Sequence, residues 1–262
     1  MMKSPLKWAG GKTYLLGLLA KHLSGHERLI EPFVGSGTVF LGLNYDTGVV
    51  ADINQDLITL YRAVRDDTNN FIDAAYALWK NNDKEEYLQV RAAFNEQKLP
   101  TQFLYLNRHS FNGLCRYNQK GGFNVPWGQY ARPYFPDTEL RFLAHKIKGF
   151  ETLCSDFLGV MRMATPGSVV YCDPPYTPIN KTSNFTGYSA DGFGMAQHEV
   201  LAAEAERLHA LGIKVVISNN DTELTRKLYA GATEIIDFDA CRSVAGNGDH
   251  RRKEKELIAI YS

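Results

Sequence analysis

Seven short runs rich in β-branched and aromatic residues, at 28–31, 49–52, 151–154, 168–172, 214–218, 234–240 and 256–261, are separated for the most part by helical patterns such as 12–23, 197–211 and 223–229. Few architectures accept that rhythm. A strand, a helix and a second strand in the same sheet need a crossover, so the alternation predicts an α/β fold. Its sheet is mostly parallel and covered by helices on both faces. One interval breaks the pattern. Residues 54–148 are helix-rich at first and then turn into a Gly/Asn/aromatic stretch, with turn chemistry at Lys120-Gly121-Gly122. They are expected to form a second domain inserted into the first, which is then made of residues 1–53 and 149–262.

The run 168–172 stops at Asp173-Pro174-Pro175-Tyr176. Proline cannot extend a sheet ladder and forces the residue before it out of helical geometry. The strand therefore ends at a crevice, with the Pro174 carbonyl free beside a carboxylate and an aromatic face. Two acceptors and a π-surface suit a flat molecule bearing an exocyclic NH2, such as adenine or cytosine. An ordinary turn stiffened by proline is the alternative.

A cofactor loop follows the first run. Pro32-Phe33-Val34-Gly35-Ser36-Gly37-Thr38 leads into a helical pattern, and its glycines permit a tight turn with a ligand close to bare backbone. The next run ends in Asp52, where an acid can accept from ribose hydroxyls. Phe40 stands where a dinucleotide fingerprint needs a small residue, which disfavours a pyrophosphate and prefers a nucleoside cofactor without phosphates. S-adenosylmethionine fits. Ala9-Gly10-Gly11-Lys12-Thr13 imitates the end of a phosphate-binding loop, but Leu6 occupies the position of that motif's first glycine and no strand precedes it. An NTPase is excluded. The Trp8–Lys12 turn can instead offer an indole and a cation to the carboxylate of a bound cofactor.

Composition bounds the rest. The 262 residues carry no net charge, and 44% are hydrophobic, ample for a core. No apolar run reaches the roughly 20 residues of a membrane span, and the start of the chain lacks a signal-peptide pattern. Cys115, Cys154, Cys172 and Cys241 show no paired spacing, so a disulfide frame or zinc site is not expected and a cytoplasmic protein is. Charge is uneven. Between Glu96 and Asp137 there is no acidic residue, whereas Lys98, Arg108, Arg116, Lys120 and Arg132 fall there, and His250-Arg251-Arg252-Lys253 forms a second basic knot.

Six segments occur in a telling order. They are Leu6-Lys7-Trp8-Ala9-Gly10-Gly11-Lys12, Glu31-Pro32-Phe33-Val34-Gly35-Ser36-Gly37, Ala51-Asp52-Ile53-Asn54, Asn112-Gly113-Leu114-Cys115-Arg116-Tyr117-Asn118, Phe123-Asn124-Val125-Pro126 and Asp173-Pro174-Pro175-Tyr176. From about residue 3 onward the chain resembles the Dam-type DNA adenine N6-methyltransferases. The resemblance implies a Rossmann-like class I methyltransferase sheet with an inserted helical and hairpin DNA-recognition domain. It implies S-adenosylmethionine as methyl donor, and N6 of a flipped adenine in GATC of double-stranded DNA as target. It further implies a monomer in the cytoplasm of a bacterial or phage-infected cell, associated with the nucleoid, and a reaction that needs no metal and no nucleophilic cysteine. By the same matching Trp8, Lys12, Phe33, Asp52, Phe157 and Asp173 are cofactor contacts, and Asp173, Pro174 and Tyr176 act on the base. Lys7 and Arg116 read guanines, Leu114 and Pro126 touch a thymine methyl, and Phe111 and Asn112 enter the duplex.

The chain also departs from that family. Basic residues are familiar where Gln129 and Ala131 stand, and tyrosine where Phe111 does. A methyltransferase acting on RNA or on protein glutamine, and a DNA-binding regulator with a dead methyltransferase fold, are the competing readings. Residues 182–197 lack periodicity and are expected to close over the flipped base, with Phe185 and Tyr188 as wall residues. Residues 247–253 are expected to meet phosphates.

Overall fold

The computed structural model describes residues 3–80, 82–176, 193–241 and 253–262. Among them seven strands form one sheet: β1 (Arg28–Glu31), β2 (Gly48–Asp52), β3 (Phe150–Cys154), β4 (Ser168–Cys172), β5 (Lys214–Asn220), β6 (Glu234–Cys241) and β7 (Lys253–Tyr261). The order across the sheet is β3-β2-β1-β4-β5-β7-β6. Every pairing is parallel except those of β7, which runs antiparallel to both β5 and β6. Each of the seven runs read from the sequence is a strand, and the mostly parallel α/β sheet stands as expected. The chain reverses its order of travel between β1 and β4, where open α/β sheets form their ligand crevice.

Each strand splits its side chains between two cores, as its period of two demands. Leu29, Val50, Val169, Tyr171, Val216, Ile258 and Ile260 face one buried cluster. Their neighbours Ile30, Val49, Ala51, Val170, Cys172, Val215, Ile217, Leu257, Ala259 and Tyr261 face the other. Helices α1 (Leu16–Leu23) and α2 (Thr38–Gly42) cover the first face. Helices α8 (Phe157–Met161), α9 (Met195–Ala210) and α10 (Glu223–Leu228) lie on the second side.

Between β2 and β3 come α3 (Gln55–Asp66), α4 (Thr68–Tyr76), α5 (Lys84–Gln97), α6 (Pro100–His109) and α7 (Asp137–Lys146). In α3, Leu57, Ile58, Leu60, Tyr61 and Val64 recur at helical spacing and are all buried. Each such side chain contributes about 1.5–3 kcal/mol by leaving water. The cluster they join runs without a break from the first face of the sheet to Phe94, Phe103 and Leu143 of the inserted helices. The ends of these helices are fixed locally. Asp83 caps α5 by accepting from the Glu86 amide at 2.8 Å. Asp83→Ala is expected to cost about 1 kcal/mol, lowering the melting temperature by about 2–4 °C with methyl transfer unchanged; calorimetry and a transfer assay check both.

After α6 the chain forms a loop rather than a regular ladder. Two isolated antiparallel bridges, Ser110 with Trp127 and Tyr117 with Phe123, close it. Side chains take over backbone donors that a ladder would use. Asn118 Oδ1 accepts from the amides of Lys120 and Gly122, and Asn95 Oδ1 from that of Phe123. The hairpin expected from Lys120-Gly121-Gly122 is therefore a short antiparallel turn held by asparagines. Of the segments expected to close over the base and to meet phosphates, residues 182–192 and 247–252 lie outside the described residues, Phe185 and Tyr188 among them.

Candidate active site and reading loop

Carboxylates gather along the C-terminal edge of β1, β4 and the adjoining strands. Period two places Glu31 of β1, Asp173 after β4, Ser218 of β5 and Glu256 of β7 on the same face as Leu29, Tyr171, Val216 and Ile258. Asp173 Oδ2 lies 2.8 Å from Lys12 Nζ. Its Oδ1 accepts from the Ser218 hydroxyl at 2.7 Å. The Lys12 ammonium also donates to the Gly10 carbonyl at 2.7 Å, and it sits 4.8 Å from the centre of the Tyr176 ring. The Lys12 side chain is 4% exposed and that of Asp173 21%. Asp173 is thus the more open member of the pair.

The Tyr176 ring is held by its hydroxyl, which donates to Glu256 Oε2 at 3.0 Å. Tyr14 donates to the same oxygen at 2.7 Å. Glu31 is buried and accepts from the Phe40 amide at 3.0 Å. Burial pushes its carboxyl well above the usual carboxylate range, and the nearby Asp173 charge adds to that. Pro174 is buried in the turn.

The cofactor loop is built from close approaches. Gly35 has φ +46°, and a Cβ there would come within 2.8 Å of Trp8 Nε1. The indole therefore lies directly on the turn, and only glycine fits beneath it. Asp52 ties the loop from the other side, its Oδ2 accepting from the Gly35 amide at 3.1 Å and its Oδ1 from Asn54 at 2.9 Å. Burial raises the pKa of Asp52, and these amide bonds oppose the rise. Phe33 and Phe157 stack with centroids 5.5 Å apart, and Phe193 meets Phe33 edge-on at 5.5 Å.

The loop between Ser110 and Trp127, expected to read the bases, packs against Lys7. Asn107 clamps the Lys7 backbone from both sides, its Oδ1 accepting from the amide at 2.9 Å and its Nδ2 donating to the carbonyl at 2.7 Å. Lys7 Nζ lies 3.7 Å from the centre of the Tyr130 ring and 3.3 Å from the Arg108 carbonyl. Burial and the Arg108 charge lower the pKa of this ammonium. Asn112 and Gly113 take consecutive left-handed conformations, φ 54° and 64°. A Cβ on Gly113 would fall 2.2 Å from Lys7 Cβ. Asparagine tolerates that backbone region, so the pair makes a sharp corner, beside which Phe111 is left 45% exposed. The Asn112 amide donates to the Tyr130 hydroxyl at 2.9 Å, and that of Phe111 to the Pro126 carbonyl at 2.9 Å. Arg116 is exposed, with Nε 2.8 Å from Asn124 Oδ1. Leu114 is half-buried and Pro126 exposed on the same loop.

Residues 7–12 therefore join the two regions. Lys7 belongs to the reading loop, Trp8 to the cofactor turn and Lys12 to Asp173. The sequence reading missed Ser218, Glu256, Glu31, Tyr130 and Phe193. Ser218-Asn219-Asn220 closing an apolar strand is a usable signal for the first, since buried polar groups at a strand end have partners. Glu256 opens the last apolar run and is wholly buried.

Among the described residues no helix is long and apolar enough to cross a membrane, and no cluster of His, Cys, Asp and Glu could hold a metal ion. The chain is 45% identical over 262 residues to the DNA adenine methylase of Salmonella typhi, covering 98% of this chain and 94% of that protein. The DNA adenine methylase of Escherichia coli K12 gives the same figures, 45% identity with 98% and 94% coverage. That of Vibrio cholerae serotype O1 is 44% identical over 264 residues, with 98% and 95% covered. A solved structure, the rRNA methyltransferase aviRa from Streptomyces viridochromogenes, aligns with a TM-score of 0.38 at 12% identity, covering 100% of this chain and 91% of that one. Residues 8–244 match the profile of one family, and with these relatives they show that the chain belongs to the D12 class N6 adenine-specific DNA methyltransferases.

Proposed function

We propose that this DNA adenine methyltransferase uses S-adenosylmethionine to methylate N6 of adenine within GATC of double-stranded DNA, after swinging the base out of the helix. Residues 1–53 with 149–262 do the chemistry, and residues 54–148 recognise the target. The observation that carries the reading is the single segment 7–12, which ties the acid of Asp173-Pro174-Pro175-Tyr176 to a loop presenting Phe111, Asn112, Leu114, Arg116 and Pro126.

The residues present fit the cofactor. Phe33 and Phe157 supply an apolar wall for a purine, half-buried Asp52 an acceptor for hydroxyls, and Trp8 and Lys12 a lid and a cation for a carboxylate. When bound, S-adenosylmethionine supplies an electrophilic methyl group on a sulfonium. Asp173 and the Pro174 carbonyl accept hydrogen bonds from the two N–H groups of the target amino group, one of whose protons leaves once the methyl group is bound. Those bonds strengthen as positive charge builds on N6, which is the condition for lowering a barrier rather than merely binding. Tyr176 offers its ring to the base, kept in place by Glu256. An adenine inside a duplex is out of reach, so exposed Phe111 and Asn112 enter the stack and offset the lost contacts. Arg116 reads guanine by two parallel donors, and Leu114 and Pro126 meet a thymine methyl, as these side-chain types do in the major groove. Gln129 and Ala131 add no charge beside the loop, so fewer phosphates are gripped and duplex affinity or processivity is lower.

Labelled S-adenosylmethionine with duplexes carrying GATC, the same duplexes with single-base changes, RNA and protein tests this directly. Label is expected in the GATC duplex alone, recovered as N6-methyladenine. Label in RNA or protein with none in DNA would sink the reading.

A further inference from the structure

We propose that Ser218 is a positioning residue that holds the Asp173 carboxylate in its reactive orientation, with Tyr171 fixing the direction of the Ser218 hydroxyl from beneath. This deepens the reading above and rests on Asp173 being the acceptor for the target amino group.

Three groups make a line on one face of the sheet. Cys172 of β4 pairs with Ile217 of β5, so Asp173 and Ser218 are the next residues out on adjacent strands. The Ser218 hydroxyl donates to Asp173 Oδ1 at 2.7 Å, and Tyr171 OH lies 3.0 Å from Ser218 Oγ. Both Ser218 and Tyr171 are completely buried. A carboxylate paired with Lys12 can only accept, so the one proton of Ser218 goes to Asp173. Tyr171 must then give its own proton to Ser218, because Oγ has only acceptor capacity left. Burial and the Asp173 charge push the tyrosine pKa well above its ordinary value, so the phenol remains a donor throughout the working range.

The consequence is asymmetry between the two oxygens of Asp173. Oδ1 accepts from a buried neutral donor, whereas Oδ2 pairs with the Lys12 ammonium. Rotation of the carboxylate would break a charge-assisted bond inside the protein, so the oxygen offered to the base stays in one place before substrate arrives. Catalytic groups need that preorganisation, because reorientation during the reaction adds to the barrier. Serine at this position therefore aims the acid before substrate arrives.

Three variants, Ser218→Ala, Ser218→Cys and Tyr171→Phe, are assayed for kcat and for KM on cognate duplex and on S-adenosylmethionine. Ser218→Ala is expected to lower kcat by about ten- to a hundredfold, the worth of a hydrogen bond to a charged group. KM for duplex and for methyl donor should stay within about twofold, since the bond serves the transition state and not ground-state binding. Ser218→Cys, whose thiol is only a weak donor, and Tyr171→Phe, which frees the direction of the Ser218 hydroxyl, should lower kcat by less, again with KM held. Ser218→Cys leaves no cavity, so a loss of kcat there cannot come from one. A kcat within about twofold of wild type in both Ser218 variants, or a loss that falls on KM and not on kcat, would overturn the proposal. Should both Ser218 variants fail to fold, Tyr171→Phe decides: a lowered kcat at unchanged KM supports it and a wild-type kcat refutes it. Asp173→Asn is run in parallel. If that variant keeps wild-type kcat, the assignment of Asp173 falls and this inference with it. If it is inactive while Ser218→Ala keeps wild-type kcat, this inference alone falls.

Discussion

Asp173→Ala is expected to lose methyl transfer by about two to three orders of magnitude, the usual loss when a group aimed at developing charge is deleted. The substitution removes the acceptor that strengthens as N6 becomes cationic, and nothing nearby replaces it. Ser218 is a donor, and Glu31 is held with the Phe40 amide in a site that disfavours its charge. From position alone, a residue at a strand end should leave stability untouched. The structure changes that part of the expectation. Lys12 is buried and its ammonium pairs with Asp173 at 2.8 Å. Removing one partner leaves a charge sealed away from water, at a cost of about 2–3 kcal/mol, somewhat less than for a fully buried pair because Asp173 reaches solvent. Urea unfolding should show that loss in Asp173→Ala. The double variant with Lys12→Met should recover much of the stability and none of the activity. A single variant that kept a tenth of wild-type turnover would show that Asp173 is not the acceptor.

Arg116→Ala is expected to erase discrimination at one guanine of the site. The loss is about 1–3 kcal/mol for cognate over mismatch, or roughly ten- to a hundredfold. The guanidinium is set for this task before DNA arrives. Its Nε lies 2.8 Å from Asn124 Oδ1, and the Arg116 carbonyl accepts from the Asn124 amide at 3.1 Å across the turn. The arm is thus aimed by a neighbour on the opposite side of the loop. Asn124→Ala should reproduce part of the effect, because a flexible arginine loses ordering entropy on each encounter. Competition between GATC and a duplex altered at one guanine separates the explanations. Equal weakening on both duplexes, with the ratio preserved, would make Arg116 a phosphate contact.

Much of this protein could be read one window at a time. All seven strands were visible, because burial on both faces imposes dense β-branched runs whatever the rest of the chain does. The turn at Gly35, the acid ending β2 and Asp173-Pro174-Pro175-Tyr176 were visible for a similar reason. Each depends on local backbone chemistry, glycine freedom in one case and the missing amide of proline in the other. The ordered motifs carried the family as well.

What lay beyond the sequence was pairing across distance. Nothing near residue 12 announces that its ammonium meets a carboxylate at 173, or that Ser218 closes the other side of the same acid. The antiparallel placement of β7 between β5 and β6 brings Glu256 to Tyr14 and Tyr176. The continuous core linking the inserted helices to the sheet is likewise a property of packing. Local pattern follows from propensity and from which side of an element meets water, so the sequence by itself determined the strands, the tight turns and the family. Partner identity depends on strand order and register, which join residues far apart in the chain, and only the tertiary structure decided that Asp173 meets Lys12 on one oxygen and Ser218 on the other.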